Sequence, residues 1–253
     1  MIEKLKGVGN ISLTQKICLA GLFTALATIL QKVIAINYLA ALPFFRLSFG
    51  APAVIVFASI FLGPLWGAAV GAFSDILGYF AFDASSFAFM PLITLIYLVL
   101  GLAGFFVYKL VSKIKNDKAI FITEVSVLGA AFIGVSLYLI LIYECPIIAK
   151  ILIPLGLFAL LAGLIIFQKI FSKPEGSFYA PIKLSFSYFV LDLLVLVLFG
   201  STMKAIAFTN NFEAFKSLLG TILITQSLVM IFNVVFNTVL LATFFRLTKK
   251  YTR

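Results

Sequence analysis

The sequence predicts an all-α polytopic membrane bundle of about eight transmembrane helices, and three observations predict it. Of its 253 residues, 63% are hydrophobic and only 11% charged, and the mean hydropathy is +1.20, a composition outside the range of soluble domains. The apolar residues form runs long enough to cross a bilayer, with breaks at Pro43, Gly63-Pro64, Pro91, KLVSKIKNDK, Cys145-Pro146, KPEGS and TNNFEAFK. The basic residues gather at the ends of those runs. With N- and C-termini placed in the cytoplasm, fourteen of the 19 Lys and Arg residues fall on the inner side, against Lys32, Arg46, Lys150, Lys204 and Lys216 near the outer side. That asymmetry is the one that orients membrane helices.

In order, the spans are expected at 14–36, 47–62, 64–81, 91–112, 119–143, 147–171, 182–203 and 217–245, within a single integral-membrane domain, 1–253. The opening MIEKLKGVGNISLTQK is charged and polar and leads into a run of spanning length, so no cleavable signal is expected. The first span carries Lys16, Gly21, Ala25 and Thr28 on or near one face. Lys32 is expected to snorkel to the outer headgroups. The connection AINYLAALPFF is apolar and aromatic and turns at Pro43 before Arg46, and FAFDASSFAFMP after the third span alternates Phe with small and acidic residues. These segments suit either the walls of a site for a flat ligand or interfacial anchors of helix ends. The fifth and sixth spans hold little polarity beyond Glu124 and Lys150, the seventh carries Asp192, and the eighth carries Gln226, Asn233 and Asn237. Amides at such depth most often hydrogen-bond neighbouring helices.

The third span holds the least ordinary pattern. Gly63, Gly67 and Gly71 recur every four residues, and Asp75 and Tyr79 continue the row, so on a helix all five share one stripe. Small residues at that spacing let another helix approach closely, and Ala68 and Ala72 widen the smooth face. Asp75 lies roughly 18 Å along a helix starting at Gly63, beyond the bilayer midplane. An ionisable group there is costly, and by default it faces a cavity or a partner. Its carboxylate suits two parallel N–H bonds from the edge of a heteroaromatic ring whose faces Phe and Tyr cover, and Arg46 suits a ligand carboxylate. An ion pair between Asp75 and Arg46 is the structural alternative. For Asp192 a second-site role stands against structural hydrogen bonding to the eighth span.

Several function classes are disfavoured. The net charge of +10 is spread over helix ends and forms no basic patch with interleaved aromatics, so no nucleic-acid partner is expected. Cys18 and Cys145 fall in opposite leaflets, and the chain has no histidine; neither a disulfide, a metal site nor a histidine-based hydrolase is expected. No G-x-x-x-x-G-K-[ST] occurs, so uptake against a gradient needs partner ATPases or an ion gradient. No enzyme activity and no cofactor are expected.

The first 112 residues resemble the substrate-binding (S) subunits of energy-coupling factor (ECF) vitamin transporters, most closely the folate-type branch. The residues that carry the resemblance are FFRLSFGAPAVIVFASIFLGPLWGAAVGAFSDILGYF, the Phe/Ser loop and Met90-Pro91. The resemblance implies a substrate-capturing subunit of an ATP-driven system in the bacterial plasma membrane, with a pocket open to the outside. It implies that Arg46, Asp75, Tyr79, Phe82 and Phe89 lie at or near the vitamin, with Asp192 a further candidate. Gly21, Ala25, Ala68 and Ala72 would dock a transmembrane coupling subunit driven by two ATPase subunits. The family has six spans. Core helices in 1–115, an inserted helical hairpin over 116–178 and the last two core helices in 179–253 reconcile that count with eight. Two other classes compete with it: a self-sufficient ion-coupled transporter using Asp75 and Asp192, and a membrane scaffold.

Overall fold

Ser12 opens the first helix, α1 (Leu13–Lys32), with a reciprocal cap: its hydroxyl accepts from the Gln15 N–H and the Gln15 side chain accepts from the Ser12 N–H. The computed structural model describes residues 12–33, 36–39, 42–47, 50–83, 88–141, 147–171, 181–209 and 211–249. Two compact units emerge, one of residues 1–109 and 239–253, the other of residues 110–238. Among the described residues, seven helices are long and apolar enough to cross a membrane. The protein is therefore an all-α, multi-pass helical bundle.

In the first unit, α1 is followed by a short antiparallel hairpin of β1 (Ile36–Leu39) and β2 (Leu42–Leu47), in which Ile36 pairs with Leu47 and Asn37 with Arg46. This hairpin stands where an apolar connection turning at Pro43 and the start of the second span at 47 were expected. The second helix, α2 (Ala51–Leu62), has only 12 residues, a length of about 18 Å against a hydrocarbon core of about 30 Å. Eleven of the twelve are buried, so α2 is a central plug, and the second expected span, 47–62, is not a full crossing. Its Phe57 ring is the hub of this unit, 5.4 Å from Phe23 of α1, 5.4 Å from Phe61, and 4.9 Å from Phe245 near the chain's end. Gly63, with φ of 113°, turns the chain from α2 into α3 (Pro64–Gly78) in a backbone region that side chains rarely enter. A π-helical turn, Tyr79–Asp83, extends α3. After it comes α4 (Pro91–Lys113).

The expected glycine row meets a helix of the same unit. A Cβ on Gly67 would lie 2.7 Å from the Gly101 carbonyl oxygen of α4, and a Cβ on Gly71 would strike the carbonyl of Tyr97. The two backbones therefore touch directly, as small residues at four-residue spacing permit. Ser59 of α2 fills the adjoining space and its hydroxyl accepts from the Phe105 N–H at 2.9 Å.

The second unit contains α5 (Asp117–Leu141), α6 (Ile147–Phe171) and α7 (Pro181–Leu191). From α7 the chain continues through a π-helical stretch, Asp192–Phe199, into α8 (Gly200–Phe208). The last helix, α9 (Phe212–Lys249), runs on from this unit as far as Thr238. A buried polar knot joins four of these helices. Glu124 of α5 accepts from the Ser185 hydroxyl of α7 and, at 3.0 Å, from the Gln168 amide of α6, while Thr238 of α9 donates to Ser185 at 3.4 Å. The expected hairpin over 116–178 is thus tied by hydrogen bonds to both α7 and α9.

Glycine substitutions separate internal faces from free ones. Gly71→Ala and Gly101→Ala force the α3 and α4 backbones apart and are expected to cost about 1–3 kcal/mol, read as a lower midpoint of unfolding in detergent. Gly21→Ala, whose Cβ would meet nothing within 4 Å, is expected to be neutral or to stabilise by up to about 1 kcal/mol through helix propensity.

Candidate functional site

The contact of α3 with α4 carries the polar end of the row into the first unit. Asp75 is 5% exposed. One carboxylate oxygen, Oδ1, accepts from the Gln31 amide of α1 at 3.2 Å, and Oδ2 accepts from the Thr94 hydroxyl of α4 at 2.7 Å. Three helices therefore converge on one carboxylate, and both donors are neutral. Each oxygen has a second lone pair beyond the bond described. A carboxylate oxygen accepts, so the Gln31 amide turns its NH2 toward Asp75. This leaves Gln31 Oε1 buried with no hydrogen-bond partner, in a side chain only 3% exposed. Orphaned buried acceptors are uncommon and cost about 1–3 kcal/mol.

One helical turn beyond Asp75 the chemistry becomes aromatic. The Tyr79 ring lies 5.1 Å from Phe89 and 5.3 Å from Phe80, and Phe80 is stacked on Phe89 at 6.4 Å. Phe82 is half exposed on the π-helical turn, and Phe89 is exposed more modestly. At the end of the same π-helical turn Asp83 forms an ion pair of 2.6 Å with Lys32, with side chains 12% and 8% exposed. The Lys32 stem lies across Gly78, where a Cβ would come within 2.6 Å of Lys32 Cε. Lys32 does not snorkel to headgroups as its place at the end of α1 suggested: Gly78 provides a groove for the stem and Asp83 a counter-charge.

The expected site residues are therefore distributed unevenly. Asp75, Tyr79, Phe82 and Phe89 lie along one end of the first unit. The Arg46 side chain is outside the described residues, as are 84–87 of the Phe/Ser loop and Cys145; for Arg46 the backbone pairing with Asn37 is all that is described. Asp192 belongs to the second unit and is fully buried. Its Oδ1 accepts from the Asn233 amide at 3.3 Å and from the Tyr188 hydroxyl at 3.5 Å, and its Oδ2 has no hydrogen-bond partner. Asn237, four residues on from Asn233, turns its amide back to the Asn233 carbonyl at 2.9 Å. Of the expected docking residues, Gly21 and Ala25 are exposed on α1, while Ala68 and Ala72 are half-buried beside the glycine row.

No family model, curated protein or solved structure matches this chain. Geometry must therefore carry the functional argument. Four residues of the constellation, Gln31, Lys32, Asp83 and Thr94, were not singled out by sequence as site residues. Asp83 carried a partial signal, being an acid among phenylalanines; Gln31 and Thr94 carried none, because a lone amide or hydroxyl near a helix end is common. Chemically the arrangement offers hydrogen-bond acceptors from Asp75 and Gln31, flat rings one turn away, and a nearby buried cation. Such groups can accept N–H donors, cover a flat ring and balance an anion.

Thr94→Val removes one of the two donors that hold Asp75 and leaves the carboxylate under-satisfied. It is expected to destabilise the chain by about 1–3 kcal/mol, while Thr94→Ser, which keeps the hydroxyl, changes unfolding little. Chemical denaturation in mixed micelles measures the difference.

Proposed function

We propose that the chain is a substrate-capturing membrane subunit that binds a small flat heteroaromatic vitamin, with folate or a related pterin the first choice. The observation that carries this reading is the acceptor pair at the α1/α3/α4 junction: a buried carboxylate held by neutral donors beside the unpartnered Gln31 Oε1. An amino-substituted ring edge presents adjacent N–H donors that match such a pair. Tyr79, Phe80 and Phe89 supply rings for its faces. The resemblance of residues 1–112 to ECF S subunits supports the same assignment, with residence in a bacterial plasma membrane. On this reading the chain itself performs no catalysis, and a transmembrane coupling subunit with two ATPases provides the work.

Titration of the purified full chain against a vitamin panel tests the proposal. Wild type is expected to retain a heteroaromatic ligand without nucleotide, and Asp75→Asn to weaken it about tenfold or more, at least about 1.4 kcal/mol. A panel in which nothing binds, or an unchanged affinity in Asp75→Asn, overturns it.

A second reading, an ion-coupled transporter, is favoured by the orphaned Oδ2 of the fully buried Asp192; buried carboxylates within membrane helices often serve proton or cation paths. Reconstituted uptake separates the two. Capture predicts uptake only with the coupling and ATPase subunits, and predicts that Gly21→Leu or Ala25→Leu on the exposed face of α1 reduces uptake severalfold with ligand binding unchanged. Uptake in vesicles free of ATPase, collapsed by an ionophore, supports the ion-coupled reading instead.

A further inference from the structure

The ion pair of Lys32 with Asp83 is not explained by stability. Desolvating two charges within a membrane protein costs several kcal/mol per ion, and well-packed apolar residues commonly do as well or better at such places. The pair is nevertheless constructed with care. Gly78 is hollowed for the Lys32 stem, so that any side chain there would collide with Lys32 Cε. The ammonium is thereby steered to one end of α1, against Asp83 on the π-helical turn. Lys32 follows Gln31, whose amide is bonded to Asp75, and Gly78 lies one turn along α3 from Asp75. The cation is thus within about a helical turn of the acceptor pair along the helices, paired with the last residue of the π-helical turn that begins at Tyr79 and Phe80. Among the described side chains, this end of the first unit offers no other lysine or arginine, the side chain of Arg46 lying outside them.

The geometry points to Lys32 as the seat for a carboxylate on the captured molecule, with Asp83 occupying that seat when no ligand is bound. The inference rests on the capture reading above and narrows its substrate class to an anionic heteroaromatic: a ring whose N–H edge meets Asp75 and Gln31 and whose acid group meets Lys32. Asp83 presents to Lys32 the same functional group that such a ligand would bring. Exchanging one carboxylate for another conserves the buried charge balance, so the ligand's acid can be desolvated without creating a new unpaired ion.

The test uses full-length protein in lipid nanodiscs and three matched pairs of probes that differ in charge: folate and its dimethyl ester, pteroate and its methyl ester, and pterin-6-carboxylate and pterin-6-carboxamide. Wild type is expected to prefer the acid of whichever pair it binds. Asp83→Asn removes the competing charge but keeps an amide oxygen to accept from the ammonium; with its folding verified by an unchanged unfolding midpoint, it is expected to tighten the acid about tenfold while the neutral partner binds as before. Lys32→Met alone strands a buried Asp83 and endangers folding, so it is combined with Asp83→Asn; in the double variant the preference for the acid is expected to vanish. A wild type that binds acid and neutral probe equally, or an Asp83→Asn variant that weakens both alike, overturns the anion seat and leaves capture standing. A wild type that binds none of the six probes overturns the capture reading and the anion seat together.

Discussion

The first unit depends on the direct contact of two helix backbones. Gly67 and Gly71 of α3 lie against Gly101 and Tyr97 of α4 with no side chain between them. The helices are antiparallel, so the same row that climbs α3 in steps of four meets residues that descend α4. Asp75, the next member, is opposite Thr94 at 2.7 Å, and Tyr79, the one after, is opposite Phe89 at a ring separation of 5.1 Å. Lipid gives helices no hydrophobic reason to associate, so close van der Waals contact has to provide it. Having provided it through glycines, the row delivers its polar and aromatic members to defined partners without further adjustment.

Each unit encloses carboxylates that a membrane helix carries at a cost, and the arrangements differ. Glu124 is bonded through both oxygens to Ser185 and Gln168, and Thr238 closes the group from a fourth helix. The effect of this network is to fix four helices in one arrangement. Around Asp75 the carboxylate is bonded but the amide that holds it has an unused oxygen. Both aspartates also adjoin a π-helical segment: the Asp75 carbonyl accepts from the Tyr79 N–H at the start of one, and Asp192 begins the other. Wide turns of this type disturb the regular backbone ladder and occur frequently at functional places.

Much of this was legible in the sequence, for identifiable physical reasons. Hydropathy and the breaks between runs gave the long helices, because the bilayer imposes a length that composition must meet. The Gly67–Gly71–Asp75–Tyr79 row was readable because a period of four is a local property of one helix, although its partner on α4 was not. Length failed for α2: a run as apolar as a span became a plug of 12 residues, since complete burial in protein and burial in lipid demand the same side chains. The hairpin of β1 and β2 was masked by the same apolarity. Lys32 read as a headgroup anchor because its counter-charge, Asp83, is 51 residues away. Gln31, Thr94, Gln168 and Ser185 are ordinary residues whose meaning comes only from what faces them across a helix interface.

The contrast between the two ionic arrangements at the end of α1 shows how adjacent residues can be given separate tasks. Gln31 and Lys32 are neighbours in sequence, about 100° apart around the helix, and so address different faces of α3. Gln31 reaches Asp75 on the glycine row, where a neutral donor avoids cancelling the carboxylate's charge. Lys32 passes over Gly78 to Asp83, where full charge meets full charge. Had the two been exchanged, the lysine would neutralise Asp75 and the amide would face Asp83 with too little charge to balance it in a desolvated place. The order Gln then Lys keeps buried acceptors on one side and a paired cation on the other, and Gly78 makes both compatible with helices in close contact.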